Sequence, residues 1–231
     1  MSSTTKLQIA VDVTDEKQAL GIAGLVDTAC NQGLLDCKRI ILEAGTPLIK
    51  MYGMSILSRM KLASPKTKLM ADLKTADVGR LEAELAYSFS ADSVSVLAAA
   101  PFSTIRSVLI TGKDYGRGVV IDFLGVSDLR ARSKRILEIV HEINFPTENL
   151  VFEFHRGIDE ERGISVEEFF GEVADVAGAL KKALPELSIA VAGGITPQLK
   201  REIEQTFKAD IYVVGRYITS NPTIDKILEF L

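Results

Sequence analysis

The stretch Lys68-Leu69-Met70-Ala71-Asp72-Leu73-Lys74-Thr75-Ala76-Asp77-Val78-Gly79 begins apolar and ends in alternating charges. Its first half predicts a short buried strand. Its second half sets an acid, a base two residues on, and a second acid three further along. Side chains alternate faces in a strand, so Asp72 and Lys74 are expected on the same face. Asp77 follows where the chain turns toward the next helix. A carboxylate and an ammonium on the inner face of a buried strand are costly unless they pair or meet a ligand. A structural ion pair and half of an active site both satisfy that condition, and the rest of the chain decides between them.

Outward from this stretch, strand-like and helix-like runs alternate. Strands are predicted at Leu7–Val13, Arg39–Gly45, Lys68–Lys74, Ser93–Ala99, Gly118–Leu124, Leu150–His155, Ser188–Ala192 and Ile211–Val214. Helices follow each, with Thr14, Ser165 and Glu168 as capping residues and Pro47, Pro101 and Pro197 at helix starts. The strands are near-continuous apolar runs, as expected where both sheet faces are covered. Eight units with no linker-like segment predict one (β/α)8 TIM barrel domain over residues 1–231, an open doubly wound sheet being the alternative. In such a barrel, chemistry sits at the strands' C-terminal ends.

The 231 residues are 47% hydrophobic and 25% charged, with a net charge of −4. No long basic run is present, so no nucleic-acid partner is expected. No apolar run approaches the roughly 18 residues of a membrane span, and the polar start Met1–Lys6 shows no signal peptide. Cys30 and Cys37 fit no zinc spacing and make no disulfide framework. A reduced, cytoplasmic setting is the expectation.

Ionisable residues recur at the predicted strand ends: Asp12, Glu43, Asp72 with Lys74, Asp122 and His155. Folding alone does not ask for so many. Glu43 and Asp72, on neighbouring strands of the proposed barrel, would share a proton or hold a hard divalent cation. Lys74 beside Asp72 should stay protonated and could neutralise charge developing on a substrate. His155 could act as acid or base near neutrality, with Asp122 orienting it or a substrate hydroxyl. Gly193-Gly194 and Gly215-Arg216 follow the last two strands, where barrels often bind phosphate through backbone N–H groups. A phosphorylated substrate is therefore expected.

Taken in order, Asp12, Glu43-Ala44-Gly45-Thr46-Pro47, Asp72-x-Lys74-x-x-Asp77, Val191-Ala192-Gly193-Gly194-Ile195 and Val214-Gly215-Arg216 resemble the orotidine 5′-monophosphate decarboxylase superfamily. Within it, the chain is most similar to the 3-hexulose-6-phosphate synthases. The resemblance implies a homodimeric lyase with active sites at the interface. It implies Mg2+, or Mn2+, on Glu43 and Asp72, and Lys74 stabilising an enediolate. Asp77 would reach into the partner's site, while Asp12 and Asp122 would meet the substrate. His155 would transfer a proton, and Gly193, Gly194, Gly215 and Arg216 would grip phosphate. The implied reaction joins formaldehyde to D-ribulose 5-phosphate. Orotidylate decarboxylases generally carry lysine in place of Glu43 and need no metal. The 3-keto-L-gulonate-6-phosphate decarboxylases share Glu43 but tend to differ at Ile158 and Ala192. These two decarboxylations remain alternatives, as does a barrel that binds a phosphorylated ligand without turnover.

Overall fold

The computed structural model describes residues 5–157 and 166–231, the side chains of residues 166–168 excepted. Eight parallel strands close on themselves in chain order: β1 (Lys6–Val11), β2 (Ile40–Ala44), β3 (Lys68–Thr75), β4 (Ser93–Leu97), β5 (Gly118–Asp122), β6 (Leu150–His155), β7 (Ser188–Ala192) and β8 (Ile211–Val214). The last strand pairs with the first through Leu7 opposite Tyr212, so the expected (β/α)8 barrel is the fold. Around it lie α1 (Glu16–Asn31), α2 (Thr46–Tyr52), α3 (Ser55–Ala63), α4 (Gly79–Ser88), α5 (Phe102–Asp114), α6 (Leu129–Ile143), α7 (Val166–Ala183), α8 (Pro197–Thr206), α9 (Arg216–Thr219) and α10 (Ile224–Leu228).

Strand alternation separates two layers. Outward residues such as Leu7, Ile9, Leu42, Phe152, Phe154 and Val214 join the helices in the main apolar core. Inside the barrel the apolar part is small: Ala10, Ala190, Ala192, Ile211 and Val213, with Ile41 and Val151 against them. Bulky branched residues usually fill that space. Here polar side chains occupy much of it.

Local chemistry sets the helix boundaries. The cap of α1 is Asp15, whose carboxylate accepts from Gln18 N, and not the expected Thr14. Pro47 lies in the first turn of α2, and Thr196 caps α8 by accepting from Leu199 N. The single helix expected after β2 is broken into α2 and α3 at Gly53, whose φ of 67° ends a helical run cleanly. The expected cap at Ser165 lies outside the described residues, as does the side chain of Glu168. Cys30 and Cys37, given no pairing by the sequence reading, are disulfide-bonded, their Cα atoms 5.6 Å apart. Gly33, at φ 72°, reverses the chain after α1 and returns Cys37 to its neighbour.

Two aspartates lock the bottom of the barrel. Asp92, just before β4, accepts from Leu69 N at 2.8 Å and from Lys61 Nζ at 2.8 Å. Its own amide donates to Leu69 O, and its carbonyl accepts from Gly118 N. Asp210, just before β8, accepts from Ile189 N at 2.8 Å and meets Lys181 Nζ at 2.7 Å. Its amide donates to Ile189 O, and its carbonyl accepts from Lys6 N.

Candidate active site

At the opposite, C-terminal ends of the strands, Lys74 is the hub. Its Nζ lies 3.0 Å from Asp72 Oδ2 and 2.9 Å from Asp122 Oδ2. Asp72 is fixed from both sides, with Ser95 Oγ 2.8 Å from Oδ1 and Thr46 Oγ1 2.8 Å from Oδ2. Simple strand alternation does not bring Asp72 and Lys74 together, contrary to the sequence argument. The β3–β4 register runs from Ala71 opposite Val94 to Thr75 opposite Val96, so β3 bulges between them. Within the bulge Lys74 has φ 46° and donates its amide to Ser95 Oγ at 2.9 Å. Val78, a β-branched residue at φ 55°, ends the turn. Such backbone costs on the order of 1 kcal/mol or more per residue.

Two further polar residues, which the sequence reading passed over, lie deeper in the barrel. Gln8 Nε2 is 2.8 Å from Glu43 Oε2 and 3.4 Å from Glu153 Oε2, and all three residues are buried. Glu153 Oε1 is 3.7 Å from His155 Nδ1, which also faces Asp122 Oδ2 at 3.5 Å. These separations are long for hydrogen bonds and short enough for strong electrostatic attraction. An acid flanked by Phe152 and Phe154, two positions from His155 and so on its face, was the available signal.

Burial and neighbouring charge set the protonation of the group. Burial drives Glu43 well above the usual carboxylate range, and Asp72, Glu153 and Asp12 push the same way. Burial, with Asp122, raises Glu153 to about 8. Asp12 is raised by burial and by Asp72. Burial also opposes ionisation of Asp122, but His155 and Lys74 hold it down at about 2. Lys74 and His155 are disfavoured as cations by burial, yet the surrounding carboxylates raise both.

Asp12, Glu43, Asp72, Asp122 and Glu153 thus face Lys74 and His155, an excess of acids over bases, with every acid but Asp12 buried. Oxygen donors in such an excess suit a hard divalent cation. Glu43 and Asp72 are on adjacent strands as expected, Glu43 pairing with Met70 two residues before Asp72. Among the described residues, Asp122, Glu153 and His155 also bring ligand atoms within 4.8 Å of one another. Because Lys74 already meets Asp122 Oδ2, we read that trio as a charge network.

Other sequence-derived positions are placed less directly. Asp12 is wedged between two glycines: a Cβ on Gly45 would meet Asp12 Oδ1 at 2.1 Å, and one on Gly215 would meet Oδ2 at 3.7 Å. Gly193 and Gly194 have φ of 106° and 65°. A Cβ on Gly193 would strike Arg156 O at 2.2 Å, so glycine there has both a conformational and a steric cause. Arg216 is exposed at the start of α9. Asp77 is not brought to Lys74 within this chain; it is exposed and accepts from Val78 N at 2.8 Å. Ile158 lies outside the described residues.

A model of the orotidine 5′-phosphate decarboxylase / HUMPS family matches residues 5–227. The chain belongs to this family. It is 34% identical over 203 residues to the 3-hexulose-6-phosphate synthase of Mycobacterium gastri, covering 82% of this chain and 90% of that protein. It is 35% identical over 223 residues to the bifunctional enzyme Fae/Hps of Methanosarcina barkeri, covering 96% of this chain and 50% of that protein. The chain therefore spans about half the length of the bifunctional relatives it matches. Among solved structures, a 3-hexulose-6-phosphate synthase superposes with a TM-score of 0.79 at 29% identity over 98% of both chains. The enzyme of that name from Salmonella typhimurium gives 0.78 at 28% identity, over 98% of this chain and 96% of the other. The resemblance drawn from sequence is borne out, and the expected class, a lyase, agrees with these names. No helix among the described residues is long and apolar enough to cross a membrane.

Proposed function

We propose that the chain is a metal-dependent aldehyde-lyase joining formaldehyde to D-ribulose 5-phosphate to give a hexulose 6-phosphate. The observation that carries this reading is Glu43, a buried carboxylate on the strand next to Asp72, in a chain similar over most of its length to 3-hexulose-6-phosphate synthases. A lysine there would suit orotidylate decarboxylation. An acid does not.

Glu43 and Asp72 would hold Mg2+, with Mn2+ as the alternative. Once bound, the cation supplies positive charge where an enediolate develops. The chain's own residues do the rest. Lys74, kept protonated by Asp72 and Asp122, faces the same negative charge. His155, with Nδ1 toward Asp122 and Glu153, keeps Nε2 for the proton at C1 of the sugar. The carbanion carbon then bonds to formaldehyde, and the resulting alkoxide takes up a proton. Asp12 and Asp122 bind sugar hydroxyls, while Gly193, Gly194, Gly215 and Arg216 hold the phosphate. In a homodimer, exposed Asp77 completes the partner's site.

The test is turnover of ribulose 5-phosphate and formaldehyde with Mg2+, with and without EDTA, beside orotidylate and 3-keto-L-gulonate 6-phosphate. Metal-dependent loss of formaldehyde is expected. Its absence, or EDTA-insensitive turnover of orotidylate, overturns the reading.

A further inference from the structure

Glu153 touches no substrate atom in that scheme, yet it sits in the middle of β6 with 3% of its surface exposed. Packing does not explain it. An apolar residue would fit beside Val151, part of the small apolar cluster inside the barrel, without the cost of burying a carboxylate. Its two oxygens are instead used in two directions. Oε2 lies 3.4 Å from Gln8 Nε2, which is 2.8 Å from Glu43 Oε2, and an amide with two N–H groups can serve both acids. Oε1 faces His155 Nδ1 at 3.7 Å. Nδ1 is enclosed and makes no conventional hydrogen bond.

We propose that Glu153, tied to Glu43 through Gln8, is a positioning residue that holds the His155 imidazole with Nδ1–H inward and Nε2 available to substrate. The inference rests on the assignment of proton transfer to His155. The charged groups facing the ring are Asp122 from β5, Lys74 from β3, Asp12 after β1, and Glu153 on its own strand. With the ionised Asp122 carboxylate beside it and an acceptor oxygen of the Glu153 carboxyl on the same side, Nδ1 is a donor whether the ring is neutral or charged. In Glu153→Gln, the new amide oxygen must accept from Gln8, which turns its N–H toward His155 and sets donor against donor. The neutral ring then protonates on Nε2 or rotates.

Nitrogen-15 spectra of the full chain report this directly, because the chain has only two histidines and His155→Gln assigns the signal. The neutral wild-type ring is expected to be mainly the Nδ1–H tautomer, and Glu153→Gln to shift the ratio at least about threefold toward Nε2–H. The variant's kcat should fall about tenfold with KM within about twofold, and Glu153→Asp should recover part of the loss. Gln8→Leu, which removes the tie without removing a charge, should move both readouts in the same direction. An unchanged tautomer ratio in both Glu153→Gln and Gln8→Leu overturns the proposal. A wild-type chain that does not turn over the sugar phosphate defeats the functional reading, while the tautomer ratio still decides the role of Glu153.

Discussion

Asp12 occupies the space that any side chain at Gly45 would need, since a Cβ there would lie 2.1 Å from Asp12 Oδ1 and 2.9 Å from Val11 O. Gly45 has an ordinary φ of −66°, so the constraint is steric and not conformational. Gly45→Ala is expected to push Asp12 away from the site at a cost of about 1–3 kcal/mol. kcat/KM should fall at least tenfold (an order-of-magnitude figure), and thermal melts should show the loss of stability.

Asp72 is held by Thr46 and Ser95 as well as by Lys74, so its placement survives loss of its charge. Asp72→Asn should therefore fold normally while weakening divalent cation binding about tenfold or more. Calorimetric titration with Mg2+ checks the binding, and turnover should fall in parallel. Wild-type affinity in this variant would remove Asp72 from the cation site.

Glu153 carries a stability signature of its own. Its folded-state pKa, about 8, is above the ordinary value of 4.5, so the folded chain holds this proton more tightly than the unfolded one. The associated stability is full below pH 4.5 and is lost as pH rises through 8, by at most about 1.4 kcal/mol per unit. Glu153→Leu should thus melt higher than wild type above pH 8, with the gap closing toward pH 4.5. Melting curves across that range give the answer, and a constant gap would contradict the assigned protonation.

Asp77 is solvent-exposed in this chain while Lys74 lies inside the barrel mouth. If each site draws Asp77 from the partner, Asp77→Ala and Lys74→Ala are both inactive alone but complement when mixed. Random re-association should restore about a quarter of the wild-type sites, because half the dimers are hybrid and each hybrid has one intact site. No recovery on mixing would place Asp77 outside the partner's site.

Much of the fold was legible because its signals are local and repeated. Apolar runs with turn residues between them located all eight strands, and three, Leu150–His155, Ser188–Ala192 and Ile211–Val214, have their expected limits. The charged strand ends were legible as well, since Asp72, Lys74, Asp122 and His155 have no reason to follow apolar runs unless they meet. What was hidden depends on geometry that spacing does not encode. The bulge that turns Lys74 toward Asp122 depends on pairing with β4. The Cys30–Cys37 pairing depends on how α1 ends. Gln8 and Glu153 gain meaning only from each other, 145 residues apart in the chain.

The two aspartate locks stand four strands apart, which in an eight-stranded barrel is half a revolution. Each takes its lysine from the helix before the preceding strand, binds that strand's N-terminal end, and passes its carbonyl to the start of the strand that follows. A twofold rotation about the barrel axis therefore interchanges them. At the mouth the same rotation fails, setting Asp72 and Lys74 of β3 against Ala192, the last residue of β7, and Gly194 just beyond it. The base retains the symmetry of a doubled half-barrel. The mouth lacks it: acids stand on or just after β1, β2, β3, β5 and β6, while glycines follow β7 and β8.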